Sequence, residues 1–137
     1  MLPNSPTVRK ISIIFGGLTS SILSCLAFMV FALWLSNGGF FAAFIAFSGL
    51  CGGVAMWSAI TDTRIAERSW RLATIAGLAA GIFSVVQMSI WMGLWEDIFF
   101  TVFDLILLFL FASSALVGTY HLIRLIQYEV RSRPPQP

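Results

Sequence analysis

Charge is what this chain has least of. Charged residues fill 10% of its 137 positions, where a soluble domain carries roughly 25%. Histidine occurs once and cysteine twice. That is too few ligands for a structural zinc, which takes four, or for a haem held by two side chains of one protomer. There is no Gly-rich phosphate loop, no Ser-His-Asp set and no pair of carboxylates at a convincing catalytic spacing. Long polar stretches are missing as well, so no extramembranous domain is left to house a soluble active site. The net charge of +2 reflects where the basic residues sit and does not speak for nucleic acid. These gaps argue against an enzyme and against a bound cofactor.

What fills the chain is hydrocarbon. Hydrophobic residues make up 58% of it, and the mean hydropathy is +0.91. Short polar breaks separate four apolar runs, each long enough for the ~20 helical residues that cross a bilayer. The expected fold is all-α: one domain over residues 1–137, with four transmembrane helices near 11–35, 40–60, 72–94 and 98–123, arranged as two antiparallel hairpins. Beyond the last run, Arg124, Gln127, Tyr128 and Arg131 alternate with Leu122, Leu125, Ile126 and Val130. This pattern predicts an amphipathic extension to about residue 131, ended before Pro134 and Pro135.

The placement of basic residues sets the expected orientation. Arg9 and Lys10 precede the first run, Arg64, Arg68 and Arg71 lie between the second and third, and Arg124, Arg131 and Arg133 follow the fourth. The other two breaks hold no lysine or arginine. That is the positive-inside pattern of a multi-pass protein with both termini cytoplasmic. Aromatic residues agree: Trp34, Trp91 and Trp95 mark the outer ends, Trp57, Trp70, Tyr120 and Tyr128 the inner ones. The first run is too long for the roughly 7–15 apolar residues of a signal peptide, so it is expected to stay as a helix. Residues 17–24 align with 77–84, a hint that a two-helix unit was duplicated in tandem.

Small residues recur at four-residue spacing: Gly17 with Ser21, Gly49 with Gly53, Ala73 with Gly77 and Gly81, Ser114 with Gly118. Lipid tails are as apolar as leucine, so helices in a bilayer associate through close backbone packing at such faces. The partners are either the other helices of the same chain or another membrane subunit. The leucine- and phenylalanine-rich stretch 105–111, Leu107 included, is expected to face lipid or a partner.

Asp104 is the residue that most invites a mechanism. Asp97, Thr101 and Asp104 share a helical face, as do Ser84, Gln87 and Trp91 on the neighbouring run. The midpoint of that hairpin sets Gln87 level with Asp104. Together, Asp104, Gln87, Thr101 and Ser84 would line a polar cleft able to exchange protons with a substrate or ion. The competing placement puts Asp104 at the headgroups near a helix N-terminus, where the macrodipole favours a carboxylate.

The remaining polar residues have plainer readings. His121, beside Tyr120 and Arg124, suits an interfacial position at a helix C-terminus. Cys25 and Cys51 lie at one depth and read as packing residues. Thr19, Ser20, Ser21 and Ser24 read as helix-packing hydroxyls before pore-lining ones. Arg64, Arg68, Arg71, Arg124 and Arg131 are expected at anionic lipid, worth ~1 kcal/mol each, or on a partner.

The leading expectation is therefore a non-enzymatic accessory or structural subunit, packed against copies of itself or a larger membrane complex. The alternative is a small oligomeric transporter or channel with Asp104 and Gln87 in its pathway. An intramembrane enzyme or cofactor protein using His121 comes third.

Overall fold

The computed structural model describes residues 5–36, 39–61, 66–91 and 102–132. Helix α1 (Pro6–Ser12), a π-helical stretch (Ile13–Leu18) and α2 (Thr19–Ser36) follow one another as one rod. Three further helices are α3 (Phe40–Thr61), α4 (Arg68–Trp91) and α5 (Val102–Arg131), and no strand occurs among the described residues. The four spans Pro6–Leu33, Phe40–Thr61, Arg68–Trp91 and Asp104–Arg131 are each long and apolar enough to cross a membrane. The shortest, at 22 residues, reaches ~33 Å, enough for a hydrocarbon core of ~30 Å.

Local chemistry sets the helix ends. The Ser5 hydroxyl accepts a hydrogen bond from the Val8 N–H at 3.3 Å, and Pro6 supplies a pre-set first turn, so α1 begins before the apolar run does. In α4 the helix starts at Arg68 and includes Arg71, which the sequence alone assigns to the loop. Helix α5 continues unbroken to Arg131.

The hydroxyl-rich segment after the π-helical stretch bonds back to that stretch's carbonyls, one turn earlier. Thr19 donates to the Phe15 carbonyl at 2.7 Å, while Ser20 and Ser21 donate to that of Gly17 at 3.0 and 2.9 Å. Trp57 of α3 then donates its indole N–H to Ser21 Oγ at 2.8 Å, fastening α3 to α2.

Helix α3 is the most buried, with Ile45, Ala46, Ala59 and Ile60 nearly sealed from the surroundings. Its outward stripe is Phe40, Phe44, Phe47 and Val54, all exposed. The main core joins Ala55, Met56, Ala59 and Ile60 of α3 to Leu78 of α4 and Leu125 of α5. A second cluster sets Leu107 and Phe111 of α5 against Leu23, Val85 and Met88. Leu107 and Phe111 thus face inward, against the expectation for 105–111, whereas Leu105, Ile106 and Phe109 are exposed.

Candidate functional site

Where α4 begins and α5 ends, Arg68, Arg71 and Glu129 come together. Arg71 points inward and grips Glu129: its Nε lies 2.8 Å and its Nη2 2.6 Å from one carboxylate oxygen. Arg68 reaches the other oxygen at 3.2 Å from the solvent side. The Arg71 guanidinium also lies 4.9 Å from the centre of the Tyr128 ring, a cation–π contact, and one amino group reaches the Ala66 carbonyl at 3.5 Å. Two donors of the planar guanidinium converge on that one oxygen, which leaves the second oxygen to Arg68. The result is a strut between the start of α4 and the end of α5.

The sequence expectation for Arg71 is anionic lipid or a partner; within the chain it is buried against Glu129 instead. A buried guanidinium needs a counter-charge at contact distance, and Glu129 supplies it. Glu129 escaped attention because its only sequence neighbours of note are basic. Arg68 and Arg131 are exposed, Arg124 is half-buried, and Arg64 lies outside the described residues.

His121 is likewise buried among its neighbouring helices. Its Nε2 lies 3.2 Å from Ser12 Oγ, tying α5 to α1, and its ring meets Tyr120 edge-on. Among the described residues no group of histidine, cysteine and carboxylate side chains converges on a metal-sized space. Cys51 is half-buried and Cys25 is exposed, so Cys25 does not pack inward as expected.

The expected polar cleft is not drawn together. Asp104 stands half-buried in the first turn of α5. Ser84 donates to the Ile45 carbonyl at 2.7 Å and so turns to α3, away from that turn. Register separates the other two. Ile82 of α4 lies beside Gly118 of α5, and Val85 and Met88 pack with Leu107 and Phe111. Gln87 is therefore level with residues 107–113, and Asp104 stands about one to two and a half turns further out, about 5–13 Å. Thr101, Trp95, Glu96 and Asp97 lie outside the described residues.

The glycines sit at helix crossings within the chain. Gly52 and Gly81 bring the backbones of α3 and α4 into contact, and Gly77 lies against Ala55 and the Cys51 carbonyl. Gly49 faces Ser84 and Ala27, Gly53 faces Ser24, Gly17 lies under the Trp57 indole, and Gly118 lies between Met56 and Ile82. Of these, Gly52 and Gly81 have the strictest need, because the neighbouring atoms are main chain and cannot swing aside.

No protein-family model matches this chain, and no curated protein or solved structure is detectably similar to it. Its own geometry must carry the functional argument.

One more feature belongs to the interior. An elongated cavity of about 310 Å³ lies among all four spans, bordered by Leu23 and Met29 of α2, Gly52 of α3, Val85 of α4, and Phe111 and Ala115 of α5. Three serines border it and no charged side chain does.

Proposed function

We propose that this chain is a multi-pass integral membrane protein, with both termini cytoplasmic, that acts without catalysis as an accessory or structural subunit. It works through helix contacts with a larger membrane complex or with copies of itself. The observation that carries this reading is how its inward polar side chains are used. Arg71 binds Glu129, His121 meets Ser12, Ser84 binds the Ile45 carbonyl and Trp57 binds Ser21. A catalytic or transport site keeps groups ready for a substrate. Here those groups are engaged in joining one helix to the next.

The outer surface supports contact as the mode of action. Phe28, Phe40, Phe44, Leu105 and Leu116 are all exposed, an apolar belt suited to lipid or to partner helices. The small-residue faces are used inside the chain, so a partner would meet these larger side chains. Arg131 is exposed where anionic headgroups could reach it. The transporter alternative has less support, since Asp104 and Gln87 stand at different levels and the cavity lining carries no charge.

Purification of the full chain in mild detergent, followed by native gels and mass spectrometry, tests the reading. A fixed-stoichiometry complex or homo-oligomer is expected. A monodisperse monomer that moves solute into liposomes would overturn it. Orientation is tested separately, by cysteine labelling with Cys25 and Cys51 replaced. A probe at Asn37 or Glu96 should react from outside, and one at Ser69 only after permeabilisation; labelling of Ser69 in intact cells would reverse the topology.

A further inference from the structure

The central cavity has no part in the function just described. At about 310 Å³ it stands at the lower end of ligand pockets, which run ~300–1,000 Å³. Its long axis follows the helices. The lining extends from Leu107 to Gly118 on α5, from Leu78 to Met88 on α4 and from Ser20 to Leu33 on α2, about 15–20 Å at 1.5 Å per residue. That volume spread over that length has the shape of one extended chain, not of a compact ring system.

Chemistry narrows the occupant. The walls are almost wholly carbon, and two of the three serines spend their hydroxyls on backbone: Ser20 on Gly17 and Ser84 on Ile45. A water there would find too few polar partners to stay. Met29, Met56 and Met88 give part of the wall a side chain that adapts to an irregular guest.

The opening points to the source. Leu26, Met29 and Leu33 border the cavity and are also 43%, 61% and 61% exposed. The cavity is thus open alongside the C-terminal half of α2, within a membrane-length helix. Hydrocarbon surrounds that position in a bilayer, and one leaflet of the ~30 Å core gives each lipid chain a reach of ~15 Å. Length and polarity both match. An empty void forgoes dispersion contacts along its whole lining, and a chain entering from the side restores them.

We infer that this cavity binds one acyl chain of a membrane phospholipid, admitted laterally beside α2. The inference rests on the reading of the four helices as membrane spans. Its test uses the full chain in phosphatidylcholine vesicles doped with phosphatidylcholine that carries a photoactivatable diazirine on one acyl chain. After irradiation, adducts are mapped by mass spectrometry. Inward-facing Phe111 and Ser114 should be labelled as well as outward-facing Phe109 and Leu116. Ala115→Phe, which fills the cavity from α5, should abolish the inward adducts and keep the outward ones. Val85→Phe does the same from α4 should the first variant not fold. Adducts confined to outward residues, or inward adducts that persist in a folded filled variant, overturn the site while leaving the membrane reading intact. No adduct on any helix removes the membrane reading itself. Inward adducts obtained only from a free fatty acid with the same probe would rule out phospholipid as the occupant.

Discussion

Two seams of this bundle are built from opposite materials. Between α3 and α4, Gly52 meets Gly81 and the two backbones touch. Between α2 and α5, Leu23 reaches Leu107 and Phe111, but further along Leu26, Met29 and Leu33 border a void. Both seams are apolar, so hydrophobicity does not distinguish them. In a medium as apolar as the side chains, the approach distance depends on their size and on how well they interlock. Glycines let helices close completely. Large side chains that do not interdigitate leave room, and dispersion contacts are lost there.

The largest expected effect comes from forcing the tight seam open. Gly81→Leu or Gly52→Leu places a branched side chain against main chain that cannot move aside. Overpacking ordinarily costs about 1–3 kcal/mol, and backbone contact puts these variants at or above the upper end. Gly77→Leu should cost less, since its nearest obstacle is the Ala55 methyl at 2.7 Å. Leu116→Ala, on an exposed position, is the reference and should melt like the parent in detergent. Equal melting of Gly81→Leu and Leu116→Ala would mean that the seam is not tight.

Next comes the strut. Glu129→Gln strips the buried Arg71 of its counter-charge and should lower the melting temperature clearly. Restoring neutrality with Arg71→Met in the same chain should recover part of the loss, because an apolar pair avoids the desolvation that the lone guanidinium suffers. Arg131→Gln, at an exposed position, should change little. If the double variant is less stable than Glu129→Gln alone, the pair does more than neutralise a buried charge.

The spans themselves were legible, because length and hydropathy are local properties that any window of sequence reports. Which face of each helix turns inward was not. A helix that is apolar all round carries little periodic signal, so Leu107 and Phe111 looked no different from Leu105 and Phe109. The Arg71–Glu129 pair is 58 residues apart in sequence, and no local pattern joins them. His121 likewise carries no sequence sign of its partner, since Ser12 lies 109 residues away. Register misled for a related reason. Setting α4 and α5 level from their hairpin midpoint assumes equal overhangs, whereas the Ile82–Gly118 contact fixes a different offset.

A smaller effect tests how much a single hydroxyl adds at the glycine-lined side. Ser84→Ala removes the bond from α4 to the Ile45 carbonyl and leaves a methyl beside Gly49. Interhelical hydrogen bonds in bilayers average about 0.6 kcal/mol, so a modest drop in melting temperature is expected. A loss as large as that of Gly81→Leu would instead assign the seam's stability to polar bonding and not to close backbone packing.

The smallest expected effect is a coupling near zero between Asp104 and Gln87. Asp104 lies in the first turn of α5, where a carboxylate gains about 0.3–1 kcal/mol from the helix dipole, so Asp104→Asn alone should be mild. Gln87→Leu alters a half-buried position about one to two and a half turns lower on α4. Their axial offset of about 5–13 Å extends past the roughly 7–10 Å beyond which changes with no shared partner usually add to within 0.3–0.5 kcal/mol. The double variant should therefore melt as the two single changes predict together. A coupling of 1 kcal/mol or more would bring the two side chains into one polar cleft, contradict the register set by Ile82 and Gly118, and revive a proton or ion pathway at the far end of α5.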